Sequence, residues 1–124
     1  MEYRERNPIV SVILYHNPRC SKSRQALALL RERGIEPHVV EYLQAPPSAG
    51  ELAAILVRLG IEPRALLRTN EEAYRQAGLD DPSLTREQLI AAMVANPIVI
   101  ERPIVVNGER AAIGRPPERV LEIL

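Results

Sequence analysis

The stretch VSVILYHNPRCSKSR, residues 10–24, decides the fold of this chain. Its first six residues, Val10–Tyr15, form a short apolar run rich in β-branched side chains, which predicts a buried strand. The asparagine and proline of HNPRC then predict a turn, and the helical pattern that follows ends at Gly34, a residue type that commonly ends helices. Cys20 therefore lies where a loop leads into a helix.

The next segments predict a βαβ unit followed by a helical insertion. HVVEY, His38–Tyr42, predicts a second strand. About a dozen helical residues precede it, which is the length of a crossover, so the two strands are expected to be parallel. Two capping boxes, S-x-x-E and T-x-x-Q, and a proline predict helix starts farther along. The helices are expected to begin near Ser48, Pro63, Glu71 and Thr85, the first of them ending at Gly60 and the last at Pro97.

The last quarter of the chain predicts a β-hairpin and a closing helix. In IVVNGERAAI, residues 104–113, two β-rich runs flank Asn107-Gly108, a pair that favours a two-residue hairpin turn. A Gly-Arg-Pro-Pro segment then ends the hairpin. The final ERVLEIL, residues 118–124, predicts an amphipathic helix.

The order of these elements predicts an α/β thioredoxin-like fold with helices inserted in its middle. That fold has a cis-proline before the strand beside the active cysteine, and Arg102-Pro103 occupies the corresponding place in this chain. The length fits one domain, which we expect to span residues 1–124.

Composition excludes several classes of function. The 16 basic and 16 acidic residues cancel, so no overall field attracts nucleic acid or a membrane surface. With four Tyr and no Trp or Phe, the chain lacks the stacking platforms of single-strand nucleic-acid binders. A single cysteine rules out an internal disulfide framework and a thiolate-rich zinc site, and we expect no metal.

The compartment can also be predicted from the sequence. No apolar run approaches the roughly 18 to 20 residues of a membrane span. No signal-peptide cleavage pattern follows the charged start MEYRERNP. We therefore expect a cytoplasmic protein, and in that reducing compartment a lone thiol stays available for chemistry.

Cys20 carries two local signals of an activated thiol. The N-terminus of a helix stabilises an anion through its free N–H groups and its dipole, and Arg19, Lys22 and Arg24 lie within four residues. A pKa lowered from about 8.5 to about 6.5 would make the thiolate the main form at pH 7. Among such polar and basic neighbours, we expect Cys20 to be exposed rather than buried as an apolar residue.

The loop around Cys20 also predicts an oxyanion site and a particular thiol chemistry. Backbone N–H groups and the hydroxyls of Ser21 and Ser23 can donate to tetrahedral oxygens. Ser23 stands where a thioredoxin-type pair has its second cysteine, and Ala26 stands where a tyrosine-phosphatase loop has its arginine. What remains is a monothiol that needs an external thiol to complete its cycle.

Three further residues are expected to support this loop. Asn17 is expected to orient it, and Arg24 adds a cation that can form a fork to an oxyanion. His16 ends the first strand beside the loop. Either its protonated form stabilises the thiolate, or it only hydrogen-bonds the loop, and the sequence leaves both open.

Four blocks of sequence resemble the signature blocks of the glutaredoxin-coupled arsenate reductase family. They are HNPRCSKSR, ALLRTN, PIVIERPIVV and GRPPERVLEIL, in order from about Ile13 to Leu124. The resemblance implies that a cysteine thiolate attacks arsenate, that glutathione and glutaredoxin then complete the reduction to arsenite, and that no cofactor is bound. It also implies that three arginines hold the oxyanion.

Carried over block by block, the resemblance implies that Cys20 is the nucleophile and that Arg68, Arg102 and Arg115 bind the oxyanion. Three guanidinium groups suit this task, because thiolate and arsenate dianion repel each other and planar cationic forks offset that repulsion. Arg68 is expected in a helix. Four other arginines are expected to be solvated surface residues: Arg64, Arg75, Arg86 and Arg110.

The chain departs from many members of that family after its cysteine. It has Ser21-Lys22-Ser23 where they have Gly-Thr-Ser, so it resembles a related branch. Two alternatives follow: a Spx-type regulator that binds RNA polymerase, and a related monothiol reductase with another substrate, such as glutathione mixed disulfides. Many Spx-type regulators sense oxidation through a Cys-x-x-Cys pair, and Ser23 argues against that switch.

Overall fold

A four-stranded mixed sheet organises the computed structural model, which describes residues 12–124. The strands are β1 (Val12–His16), β2 (His38–Glu41), β3 (Ile104–Asn107) and β4 (Arg110–Ile113), in the order β2-β1-β3-β4. β1 and β2 are parallel, as predicted, while β3 is antiparallel to both β1 and β4. With its crossover helix, this sheet forms the predicted thioredoxin-like α/β fold. Val10 and Ser11 of the predicted first strand lie outside the described residues.

The helices begin where the capping signals predict. The side chains of Ser48 and Thr85 each accept a hydrogen bond from the N–H three residues on, and both capping boxes are complete. The α-helices are α1 (Ser21–Glu32), α2 (Ala49–Leu59), α3 (Glu72–Gln76) and α4 (Arg86–Ala95), and 3₁₀ helices span Pro63–Leu66, Pro97–Val99 and Pro117–Ile123.

The closing helix is a 3₁₀ helix and begins one residue earlier than predicted. Its hydrogen bonds join residues three apart, as between the N–H of Arg119 and the carbonyl of Pro116 at 3.0 Å. The segment begins with two prolines that have no N–H to donate, and seven residues are too few for a stable α-helix. Val120 and Ile123 nevertheless face inward and are buried.

The turn of the β3–β4 hairpin lies one residue later than predicted. Asn107 pairs with Val12 on one side and with Arg110 on the other, so it is a strand residue. The turn is therefore formed by Gly108 and Glu109, and Gly108 has a φ of 62° while Glu109 has a negative φ. Glycine in the first central position with positive φ is typical of a type II′ turn. The pairing of β3 with β1 fixes the position of the turn, because a shift of β3 by one residue would move each of its side chains to the other face of the sheet.

The described residues group into two units. The first combines the chain up to Glu41 with Arg102–Leu124, and the second is Tyr42–Glu101. The prediction of a single domain stays a prediction. In the first unit, the sheet, α1 and the closing 3₁₀ helix enclose an aliphatic core, whose buried members are Val12, Leu14, Ala26, Leu30, Val105, Val120 and Ile123.

The second unit is built around α4. This helix buries Leu89, Ile90 and Met93 and packs against α2 and two of the 3₁₀ helices. Within residues 12–124, every helix is too short or too polar to traverse a lipid bilayer.

Pro103 directly precedes β3. Its ring packs so closely against Gly114 that a larger residue does not fit at position 114. The Arg102-Pro103 peptide bond is cis, a state that the sequence alone left open, and so is Arg115-Pro116, which the sequence did not predict. Gly114 donates its N–H to the carbonyl of Pro103 at 2.9 Å. A Cβ at Gly114 would lie 2.8 Å from the Pro103 ring and 3.2 Å from Val120. Both of those side chains are fully buried, so neither can move aside easily.

We expect Gly114→Ala to lower the free energy of unfolding by about 1–3 kcal/mol, the usual effect of overpacking. Gly50→Ala is the matched control, because a Cβ there meets nothing within 4 Å and the residue lies within α2. Alanine favours a helix, so the control should gain about 0.5–1 kcal/mol. Urea unfolding of both variants measures the two effects. Equal stability of the two variants would contradict the close packing at Gly114.

Candidate active site

Cys20 occupies the N-cap of α1. Its backbone is extended, its N–H donates to the carbonyl of Asn17 at 2.9 Å, and its own carbonyl accepts from the N–H of Arg24 at 3.0 Å. The expectation that Cys20 is exposed was wrong, since only 9% of the residue is accessible. The backbone N–H of Ser23 and the Arg102 guanidinium lie against the sulfur, which reduces its access to solvent.

The local N–H groups and one remote cation act on this thiol. Burial by itself raises the pKa of Cys20, but the backbone N–H of Ser23, the charge of Arg102 and the N–H of Lys22 lower it, and the net pKa is below the ordinary value. These N–H groups and the Arg102 cation stabilise the thiolate more than burial disfavours it, which favours ionisation.

The cation that lowers the pKa of Cys20 is Arg102. The sequence had pointed to three cations close in the chain. Of these, Arg19 is exposed, and Arg24 directs its guanidinium to the carbonyl of Pro18 at 3.0 Å. Sequence proximity therefore misled, because a long side chain can point away from a residue close to it in the chain.

Strand pairing explains how Arg102 reaches Cys20. Ile104 of β3 lies opposite Tyr15 of β1, and the two strands are antiparallel. Residues that precede β3 therefore lie at the same end of the sheet as the loop that follows β1. Arg115 is held at this end too, because its Nε donates to the carbonyl oxygen of Arg102 at 2.9 Å.

A buried hydrogen-bond network shapes the loop between β1 and α1. Ser23 Oγ lies 2.6 Å from His16 Nδ1 and accepts the backbone N–H of Asn17 at 3.0 Å. Asn17 Oδ1 in turn accepts the N–H of Arg19 at 3.0 Å. Asn17 is bonded within the loop and Ser23 joins both ends of it, while a role of Asn17 in orienting the loop for reaction stays a prediction. Ser21 is exposed in the first turn of α1.

His16 is a buried hydrogen-bonding group in this network. Burial lowers the pKa of His16; Glu41 raises it, while Arg24 and Arg31 lower it, and the result is below the ordinary value. Only 6% of the surface of His16 is exposed to solvent. Of the two possibilities that the sequence left open, the structure favours the hydrogen bond to the loop.

Arg68 lies in the second unit, beyond the end of a 3₁₀ helix, so the expectation of a helical position was wrong. Its N–H donates to the carbonyl of Val99 at 2.7 Å, beside an isolated bridge between the two chain segments. Its guanidinium makes a 2.8 Å ion pair with Glu71 and a 3.3 Å hydrogen bond to the carbonyl of Ile98. Glu71 is a partner that the sequence did not indicate. The oxyanion-binding role of Arg68 stays a prediction.

Arg64 differs from the solvated surface residue that the sequence predicts. It is half-buried, and its guanidinium donates to the carbonyl of Leu79 at 2.8 Å and to that of Asp81. Arg75 and Arg110 are exposed, as predicted, and Arg86 is half-buried.

A sequence profile of the ArsC family matches residues 15–123. This range includes Cys20, Arg68, Arg102 and Arg115. The chain belongs to the ArsC family. In keeping with that membership, the chain is 51% identical over 116 residues to an arsenate reductase of Haemophilus influenzae, a match that covers 93% of this chain and all of that protein.

Two other relatives of the family are comparably similar. An uncharacterized protein of Escherichia coli strain K12, YfgD, is 54% identical over 114 residues, covering 91% of this chain and 96% of that protein. The solved structure of an arsenate reductase from Vibrio cholerae superimposes with a TM-score of 0.90 at 52% identity, covering 93% of this chain and 98% of that one. Fold and family therefore agree across nearly the whole chain.

The pKa of Cys20 can be tested by alkylation with iodoacetamide across a pH range. We expect the rate to reach half its maximum at a lower pH in the folded chain than in the same chain unfolded in urea, because the pKa of Cys20 is lowered by the fold. Arg102→Gln should move this midpoint to higher pH, because the thiolate loses a cation and a hydrogen-bond donor. Arg19→Gln removes the same charge from an exposed residue of the loop and should leave the midpoint in place. Equal midpoints in wild type and Arg102→Gln would contradict the assignment.

His16 predicts a loss of stability in acid. Its pKa is lower in the folded chain than the roughly 6.5 of the unfolded chain, so below that pH the unfolded chain binds more protons and the folded state is disfavoured. We expect the free energy of unfolding to fall less steeply below pH 6.5 or so in His16→Asn, which keeps an acceptor for Ser23 but does not titrate. His38→Asn, at an exposed strand residue, is the control and should follow wild type. An unchanged slope in His16→Asn would exclude a neutral buried imidazole.

Proposed function

We propose that this chain reduces arsenate, with Cys20 as the nucleophile, glutathione as the co-substrate and glutaredoxin as the protein that regenerates the thiol. One observation carries the proposal: the Cys20 sulfur lies at the N-terminus of α1 with the Arg102 guanidinium beside it, and its pKa is lowered. Such a site combines a nucleophile with groups that bind an oxyanion. The names of the Haemophilus influenzae and Vibrio cholerae relatives support arsenate as the substrate.

Charge neutralisation is the first requirement of this reaction. Arsenate is a dianion near neutral pH, and the approach of a thiolate to it is repulsive. Arg102 is next to the thiolate, and Arg115 is held against the Arg102 backbone, so both are suited to bind oxyanion oxygens bidentately. Arg68 completes the proposed set, and for it the arsenate would compete with the carboxylate of Glu71.

The chemistry takes one bond exchange at arsenic and two at sulfur. Cys20 thiolate attacks As(V): an S–As bond forms, an As–O bond breaks, and the oxygen leaves as water after protonation. A glutathione thiolate then attacks the Cys20 sulfur, forming an S–S bond. The S–As bond breaks with its electron pair remaining on arsenic, which leaves as arsenite, As(III). Glutaredoxin accepts the glutathionyl group by thiol–disulfide exchange and restores Cys20 thiolate.

The remaining loop residues are proposed to position this thiolate. His16, Asn17 and Ser23 hold the loop through their buried hydrogen bonds, and Arg24 closes it through the carbonyl of Pro18. Ser21, exposed in the first turn, is available to donate to an oxyanion. All steps rely on thiols and on no bound metal, and the proposal sets the reaction in the cytosol, where reduced glutathione is available.

The proposal is tested by following NADPH oxidation with arsenate, glutathione, glutaredoxin and glutathione reductase. Wild type should turn over, and Cys20→Ser should be inactive with unchanged thermal unfolding. Arg102→Lys keeps the charge but loses the fork, and we expect a fall in kcat/KM of about ten- to a hundred-fold, as for a lost charge-assisted hydrogen bond. Arg119→Lys, exposed on the closing helix, should retain wild-type activity.

Each result bears on a different part of the proposal. Absence of turnover by wild-type protein would reject arsenate reduction. Turnover by Cys20→Ser would reject Cys20 as the nucleophile, and full activity of Arg102→Lys would reject a bidentate role for that side chain.

A further inference from the structure

A groove of about 640 Å³ runs along α1 in the first unit. It is lined by His16, Arg24, Leu27, Ala28, Arg31 and Glu32, among others. Its lining does not include Cys20 or any of the three arginines proposed to bind the oxyanion. Small-molecule sites typically have volumes of about 300–1,000 Å³, so this groove has the size for a small ligand.

The groove follows one stripe of α1 that leads to the Cys20 end of the helix. Arg24, Leu27, Ala28 and Arg31 are spaced by three and four residues, so they share one face. Cys20 precedes Arg24 by four residues and therefore begins the same stripe. A molecule that lies in the groove can extend toward the thiol.

The chemistry of the lining suits a small zwitterion with an aliphatic part. Arg24 and Arg31 supply two guanidinium groups, Leu27 and Ala28 supply an apolar wall, and Glu32 supplies a carboxylate. The lining thus offers partners for a carboxylate, for methylene groups and for an ammonium group.

The present partner of Arg31 can be replaced by a ligand. Its Nε and Nη2 each donate to Glu36 at 3.0 Å, but the two side chains are 54% and 68% exposed. Exposed pairs of this kind contribute little to stability. A ligand carboxylate can therefore displace Glu36 with little loss.

We propose that this groove binds glutathione, with the γ-glutamyl carboxylate at Arg31 and the γ-glutamyl ammonium at Glu32. The inference rests on the proposed function and specifies where its thiol co-substrate binds. The γ-glutamyl arm is the part of glutathione that carries a carboxylate and an ammonium on one carbon, which matches adjacent residues of opposite charge at the end of the groove.

The length of the ligand fits this placement. α1 rises about 1.5 Å per residue, so Arg31 lies roughly 16 Å beyond Cys20 along the axis. Its guanidinium is bonded to Glu36 past the end of α1; once a ligand has displaced Glu36, the Arg31 side chain can extend by about 6 Å toward the N-terminus, the direction that helical side chains favour. The eight bonds from the glutathione sulfur to its γ-glutamyl carboxylate span about 10 Å. Bound in this way, the glutathione thiolate can reach the Cys20 sulfur, form the S–S bond and leave the S–As electron pair on arsenic.

Binding can be measured without any turnover by using S-methylglutathione, which has no free thiol. We expect titration of wild-type protein to shift the backbone amide resonances of residues 24–32 in ¹H–¹⁵N NMR spectra. Arg31→Gln should weaken binding roughly three-fold, the effect of losing one exposed ion pair. Arg33→Gln removes the same charge from an exposed residue outside the groove and should bind as wild type.

Glu36→Gln separates ligand binding from a merely structural role of Arg31. It breaks the same ion pair but leaves the guanidinium in the groove, so binding should be as tight as in wild type or tighter. Equal weakening by Arg31→Gln and Glu36→Gln would overturn the proposal, as would shifts confined to other parts of the chain. Shifts caused by glutaredoxin but not by S-methylglutathione would also overturn it and indicate a protein-docking surface.

Kinetics identify the arm of glutathione that Arg31 contacts. The KM for glutathione should rise in Arg31→Gln roughly as binding weakens. With γ-glutamylcysteine as the thiol the same rise should remain, whereas with cysteinylglycine, which lacks the γ-glutamyl arm, it should vanish. A rise that persists with cysteinylglycine would reject the assignment of the arm. Because the NMR titration needs no arsenate, a failure of arsenate reduction and a failure of this site give different results.

Discussion

A negative charge on the Cys20 sulfur is stabilised from two directions, by backbone N–H groups of α1 and by the guanidinium of Arg102. The rest of the site depends on this arrangement, because burial alone would keep the thiol protonated and unreactive. The helix contribution is local, since the N-cap residue is adjacent to the N–H groups that stabilise it. The Arg102 contribution exists only because β3 pairs with β1 in the observed register.

Several neighbouring features maintain these two contributions. The hydrogen bonds of Ser23 with His16 and Asn17 join the end of β1 to the first turn of α1, so the loop carries Cys20 at a defined height above the sheet. The segment that carries Arg102 is held by close packing between Gly114 and Pro103 and by the hydrogen bond from Arg115 to the Arg102 carbonyl. A catalytic group held by packing and hydrogen bonds needs no rearrangement when the substrate arrives.

The two proposals assign different residues to the two substrates. Arg68, Arg102 and Arg115 are proposed for arsenate, whereas the groove along α1 is proposed for glutathione. Both sets converge on one sulfur, which must first attack arsenic and then be attacked by the co-substrate. Separate binding regions allow the second thiol to approach while arsenic still occupies the first region, and this suits a monothiol that has no internal partner.

Local sequence determined the β1–loop–α1 unit, the two capping boxes, the parallel crossover and the place of Cys20 at a helix start, because each depends on residues within a turn or two. Tertiary structure alone decided which cation acts on Cys20, that Cys20 is buried, and that the hairpin turn begins at Gly108. Electrostatic and packing effects depend on distance and direction in space. Both are set here by the pairing of β1 with β3, two strands that lie about 90 residues apart in the sequence. The sequence could therefore indicate an activated thiol, but only the fold could place Arg102 beside it.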